Sequence, residues 1–304
     1  MTTAATPLMT AEEFQTLSPQ EKQALIDTFY WYHAMTFDGG LRSRGTVDPE
    51  PTFAQYGLPS LVGKSVLDVG TSSGYFALKF EQLGARRVLA TDVDLWSDPP
   101  PVDLPPRTRA RRLQKYQPLA GEEPIHRARA EAARRLGFDQ PNPFYLARAL
   151  RRSSVELRYV SIYDLASLEE SFDLVFVGTV STHLRDLAGA FEAVRHVTRE
   201  RAIIACADVL DYASPRGWAR IAFHGIRLLR LLGRIEDQIA VAREDPVARY
   251  TANEGGSIWR PSTVCVRELL LSAGFRDVQV YSRFAMANLR RGTPMHHVVF
   301  HAFV

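Results

Sequence analysis

The chain has 304 residues, is 46% hydrophobic and 23% charged, and carries a formal net charge of +3. That composition belongs to a globular protein long enough to bury a core without disulfides or a structural metal, and Cys206 and Cys265 are too few for a disulfide framework or a cysteine-rich zinc site. No apolar stretch approaches the roughly 18 residues of a membrane span, and the first ten residues have neither the basic nor the apolar segment of a signal peptide. A reduced, cytoplasmic setting without membrane contact is therefore expected. The cationic side comprises 33 arginines and 4 lysines, a skew that reads as genome composition and makes the basic balance a weak pointer to nucleic acid.

The first thirty residues predict short helices. At Ser18-Pro19-Gln20-Glu21 an N-cap serine, a proline at the first helical position and a capping-box glutamate stand in order. After a loop rich in Gly, Arg and Pro over 38–59 come a strand at Ser65–Val69, a helix at 75–83 and a strand at 87–91. Further strands are expected at 155–160, 172–177 and 202–207, with a helix at 186–197. Repeated βα units predict an α/β protein with a mostly parallel, seven-stranded sheet and helices on both faces. The final strands, 278–281 and 297–303, have no long helix between them, so the last is expected to be antiparallel.

Two stretches interrupt the alternation. Residues 95–152 open on Pro99-Pro100-Pro101 and hold twelve basic and six acidic residues, leaving the remainder of the chain at −3; their helical parts, near 107–116 and 125–136, have basic faces. Residues 212–260 contain a Leu- and Ile-rich helix at 221–232 that reads as a lid. The organisation expected is an N-terminal helical cap and lead-in over 1–59 and a core over 60–304 with two insertions, a basic lid over 95–152 and a helical lid over 212–260.

The chemistry is concentrated in Val66-Leu67-Asp68-Val69-Gly70-Thr71-Ser72-Ser73-Gly74-Tyr75-Phe76, a buried strand, a glycine turn and a helix. Glycines let backbone approach a ligand at the carboxyl end of a strand. The spacing lacks the Gly-x-Gly-x-x-Gly of a dinucleotide site and the Lys-Ser/Thr of a P-loop, so a nucleoside without a phosphate chain fits better. Asp92, 22 residues after Gly70 at the end of the second strand, is placed to accept from both ribose hydroxyls. Asp164, in Ser161-Ile162-Tyr163-Asp164-Leu165, is placed for an adenine amino group, with Ile162 or Tyr163 on the ring.

These elements resemble the class I S-adenosylmethionine-dependent methyltransferases, over most of the chain. A narrower resemblance is to the tRNA wobble-uridine 5-oxyacetate methyltransferase family and its small-molecule relatives, carried by Trp31-Tyr32-His33, Gly63-Lys64-Ser65-Val66-Leu67-Asp68-Val69-Gly70, His183-Leu184-Arg185-Asp186-Leu187, Trp259-Arg260-Pro261-Ser262 and Ala273-Gly274-Phe275. The resemblance implies a Rossmann-like class I methyltransferase fold, S-adenosyl-L-methionine as cofactor, and a cofactor set of Asp68, Gly70, Thr71, Ser72, Gly74, Asp92, Val93, Tyr163, Asp164 and Gly178. The chain departs from that family at Gly178-Thr179-Val180-Ser181-Thr182-His183, where Gly-x-Leu-x-His is usual, and in the length of the basic insertion. Both departures fall where acceptors are recognised.

Methyl transfer is an in-line displacement in which positioning does most of the work, and a base is needed only when the acceptor must lose a proton. His183, after the fourth strand, is the first candidate base and His33 the second. Trp31, Tyr32, Asp208 and Trp259 are the candidate acceptor contacts. The fourth-strand end, Val177-Gly178-Thr179, has no carboxylate for magnesium and no Asn-Pro-Pro-Tyr. His296, His297 and His301 read as ordinary sheet surface, and no metal is assigned. The leading expectation is methylation of an O, N or C nucleophile on a small molecule of natural-product biosynthesis, an anionic acceptor being one option. The alternatives are tRNA wobble-uridine modification, with S-adenosylmethionine or its carboxy derivative, and a non-catalytic cofactor-binding protein.

Overall fold

The computed structural model describes residues 9–93, 123–138, 141–207, 209–211, 244–251 and 257–304. Its centre is a seven-stranded sheet in the order β3-β2-β1-β4-β5-β9-β8, with β1 Ser65–Val69, β2 Arg87–Asp92, β3 Glu156–Tyr159, β4 Phe172–Gly178, β5 Thr198–Ala207, β8 Asp277–Ala287 and β9 Pro294–Phe303. The pairs among β1 to β5 are parallel. The last strand, β9, runs antiparallel between β5 and β8, as the missing crossover helix requires. The chain builds outward from β1 to β3 and then returns to start β4 on the other side of β1. That reversal opens a crevice beyond the carboxyl ends of β1 and β4, the ligand position of open α/β sheets.

Strand alternation sends side chains to two separate cores. On one face Val66, Leu174, Phe176, Ile203 and Val299 pack against α3 (Tyr75–Gln82), α5 (Pro143–Arg151) and the N-terminal segment, from which Trp31, Met35, Phe37, Val47 and Tyr56 are buried. On the other face Leu67, Val175, Val177 and Ile204 meet Phe191 and Val194 of α6 (Leu187–His196) and Val266 and Leu270 of α7 (Thr263–Ser272). Each fully buried Leu, Ile or Phe removes enough apolar surface from water to stabilise the fold by about 1.5–3 kcal/mol.

The N-terminal segment starts with two short helices, α1 (Ala11–Thr16) and α2 (Pro19–Thr28). The capping box expected at Ser18 is present: Glu21 N donates to Ser18 Oγ at 3.2 Å and Ser18 N to Glu21 Oε2 at 2.8 Å. A second box, Thr10 with Glu13, opens α1. Further on, Glu50 joins the segment to α3, accepting from Tyr75 Oη at 2.6 Å and pairing with Lys79 at 2.7 Å.

Two expectations are corrected. Residues 143–151 are not part of a solvated basic lid: Asn142 caps α5 by accepting from Phe144 N at 3.0 Å, Pro143 takes its first turn, and Phe144, Leu146 and Ala147 are wholly buried. His297 and His301 are not sheet surface, because β9 is an interior strand covered on both faces. His297 is 0% exposed and stacks on Phe284, and the His301 Nε2 donates to the Tyr56 carbonyl at 2.9 Å. Within the second insertion, Ala248–Tyr250 (β6) and Trp259–Pro261 (β7) form a small antiparallel ribbon. The basic helix expected near 125–136 is present as α4 (Glu123–Arg135), whereas the helices expected at 107–116 and 221–232 lie outside the described residues. Both cysteines are free and buried, and burial pushes the Cys206 thiol up to about 12, so it stays protonated. Among the described residues no helix is long and apolar enough to cross a membrane.

Candidate ligand site at the carboxyl edge of the sheet

The β1–α3 turn is hung on β2. Gly70 N and Thr71 N both donate to the Thr91 carbonyl, at 2.8 and 3.0 Å, and Gly74 N donates to Thr71 O at 2.9 Å. Gly70 and Gly74 hold φ values of 77° and 85°, conformations in which glycine avoids the Cβ clash. The sequence reads these glycines as room for a ligand, yet the structure gives their Cβ sides to the protein itself. A Cβ on Gly70 would overlap the Val180 Cγ2 methyl, and one on Gly74 would stand 2.7 Å from Phe144 Cδ2. Ser72 is also left-handed, at 52°, which aims its amide at the next strand.

That amide meets Asp92. Ser72 N donates to Asp92 Oδ2 at 2.7 Å and Val93 N to Oδ1 at 2.8 Å. Asp68, 1% exposed, accepts from Ala77 N at 3.1 Å in the first turn of α3. Burial raises its pKa to about 7, and the negative charge of Asp92 adds to the rise.

The Trp31-Tyr32-His33 lead-in lies on this turn, with Tyr32 N donating to Ser73 Oγ at 2.9 Å. Trp31 is 2% exposed and its Nε1 donates to the Ile26 carbonyl at 2.8 Å, so the indole faces the core rather than the crevice. Tyr32 is half-buried, edge-on to His33 at 4.9 Å. His33 is 6% exposed, sits 5.8 Å from the Tyr75 ring and 5.7 Å from Phe76, and its Nδ1 has no hydrogen-bond partner among the described residues. Burial lowers its pKa to about 3, leaving a neutral imidazole at ordinary pH.

The other wall follows β4. Gly178 pairs with Ala205, Thr179 takes a left-handed φ of 60°, and Ser181–His183 forms a single 3-10 turn with His183 half-buried. The Tyr163 hydroxyl accepts from Arg185 N at 3.1 Å and Asp186 N at 3.2 Å, Trp259 Nε1 donates to Arg185 O at 2.9 Å, and Ile258 N to Thr182 O at 2.7 Å. Tyr163 and Trp259 are thus brought to the segment that carries His183. Asp164 is exposed beside them on the 3-10 turn Ile162–Leu168. Asp208 lies outside the described residues. Three residues at this edge escaped the sequence reading. Ser73 stood inside the motif unremarked, whereas Val180 and Phe144 carry no local signal and are defined only by what they touch.

The strand order, the antiparallel β9 and the glycine turn after β1 together define the class I methyltransferase fold. No protein-family model and no curated protein matches the sequence. Among solved structures the chain is similar to the N-terminal domain of EvdMO1 with SAH bound, at 15% identity over 98% of each chain and a TM-score of 0.49. Against intact EvdMO1 the identity is 12%, with 94% of this chain covered, a TM-score of 0.48, and this chain spanning 47% of that one, about half its length. It is also similar to an S-adenosylmethionine-dependent methyltransferase from Mesorhizobium loti, at 15% identity over 84% of this chain and 97% of that one, with a TM-score of 0.42.

Proposed function

We propose that the chain is an S-adenosylmethionine-dependent methyltransferase acting on a small-molecule acceptor of natural-product biosynthesis, with residues 1–59 as its cap. The observation that carries the reading is Asp92, held at the β2 end by the backbone amides of Ser72 and Val93, beside a glycine turn at the point where the sheet reverses. When bound, the cofactor supplies a methyl group on a sulfonium centre whose leaving group is a neutral thioether. Asp92 receives the ribose hydroxyls. The backbone of Thr71, Ser72 and Val93 borders the nucleoside, and Asp164 and Tyr163 take its adenine end. Asp68 holds the first turn of α3, and Gly178 leaves the space a Cβ would need to the Phe176 ring.

His183 accepts the proton of an acceptor that must lose one. His33, neutral and buried, is a weak base whose Nδ1 has no hydrogen-bond partner among the described residues, and it orients a polar group of the acceptor. Tyr32 and Trp259 border the acceptor. The test is calorimetric binding of S-adenosylhomocysteine. Wild type should bind one equivalent, and Asp92→Ala, checked for folding by its melting curve, should lose about 100-fold in affinity because two hydrogen bonds to a charged group are worth about 3 kcal/mol. No binding by wild type would end the reading.

A second acceptor class, tRNA, is favoured by exposed Arg127, Arg134 and Arg135 on α4. Binding of bulk tRNA would then weaken steeply between low and moderate salt. Absence of binding at low salt would remove tRNA from consideration.

A further inference from the structure

The segment after β4 is built to set one side chain on the glycine turn of β1. Thr179 holds its φ of 60°, a region a β-branched residue adopts only when the surroundings enforce it. The enforcement is visible at both ends. Thr179 N donates to Ala205 O at 3.0 Å, and beyond Val180 the segment is held by Ile258 N on Thr182 O, Trp259 Nε1 on Arg185 O, and the Tyr163 hydroxyl under Arg185 N and Asp186 N. Between these anchors the Val180 Cγ2 methyl occupies the space where a Cβ of Gly70 would stand.

The order of the strands says what passes there. The adenine end is assigned beside the turn after β3, and the ribose at Asp92 on β2; β1 comes next and β4 after it. A nucleoside laid across these ends directs its 5′ arm toward the gap between the β1 turn and the β4 segment, the gap that Val180 narrows. Resting on the cofactor reading above, we propose that Val180 is a specificity-determining residue that meters the 5′ arm of the sulfur-bearing nucleoside while leaving its base and ribose untouched. The strained Thr179 is the device that holds the methyl in place.

The experiment compares S-adenosylhomocysteine with adenosine, which shares base and ribose and lacks the arm, on Val180→Ala and Val180→Phe. Trimming the methyl should tighten S-adenosylhomocysteine about 5-fold, and the phenyl ring should weaken it about 30-fold or more, while adenosine stays within about 3-fold throughout. If both ligands shift together, Val180 is merely structural and the proposal falls. If neither shifts, it also falls. Val180→Ala removes two methyl groups without adding bulk, so it decides the matter alone if the Phe variant does not fold. A wild-type protein that binds neither ligand would instead refute the cofactor reading itself, an outcome distinct from binding that is indifferent to residue 180.

Discussion

The β1–turn–α3 unit and the lead-in that lies on it bury opposite kinds of titratable group. In β1, Asp68 is an acid pushed up to about 7; in the lead-in, His33 is a base pushed down to about 3. Loss of water is the leading cause of both shifts, because burial penalises whichever form is charged. The consequences for stability have opposite signs. The raised value of Asp68 contributes stability that is complete below its ordinary value of 3.8 and is lost as pH rises through 7. The lowered value of His33 contributes stability that is complete above its ordinary value of 6.5 and is lost as pH falls toward 3. Between about pH 4 and 6.5 the two slopes oppose each other, so neighbouring regions with strong individual pH dependence mask one another.

The largest effect comes from breaking the turn. Gly74→Val would put a β-branched residue at φ 85° and drive its Cβ toward Phe144; a loss of about 3–5 kcal/mol is expected in urea unfolding, and a loss under about 1 kcal/mol would mean that α5 yields readily. Next come the two variants that separate the masked slopes. Asp68→Asn keeps an oxygen for Ala77 N and removes the charge, so stability should rise with pH between about 4 and 6.5, on the order of a few kcal/mol across the window. His33→Phe should do the reverse, with stability falling as pH rises from about 4 to 7. Melting temperatures across that range check both, and parallel curves for the two variants would contradict the opposition. The smallest effect comes from cutting the link between the regions. Ser73→Ala strips Tyr32 N of its partner and should cost about 1–2 kcal/mol, with amide exchange of Tyr32 accelerated while that of Ala77 is unchanged.

The sheet was legible wherever burial on both faces makes a strand read as one apolar run, as at Val66-Leu67 and Ile203-Ile204. The place of Asp92 at the end of β2, beside the glycine turn, was legible because it depends on spacing from Gly70 along the chain. Less was legible where a residue's meaning depends on a distant neighbour. Trp31 looks the same in sequence whether its indole faces a ligand or the carbonyl of Ile26. The 143–151 helix was hidden by Arg148 and Arg151 within a basic stretch, though its apolar residues fill the core beneath Gly74. His297 and His301 passed for surface because nothing local says that β9 is an interior strand.

By itself, then, the sequence determined the order of strands and helices, the glycine turn and the acid 22 residues beyond Gly70, because local periodicity and backbone preference act over a few residues. Only the tertiary structure decided that Val180 and Phe144 fill the space the two glycines leave, that burial raises the pKa of Asp68 and lowers that of His33, and that Tyr163 and Trp259 anchor the segment bearing His183. Close packing and desolvation are properties of chain segments brought together from far apart, and no pattern within one segment records them.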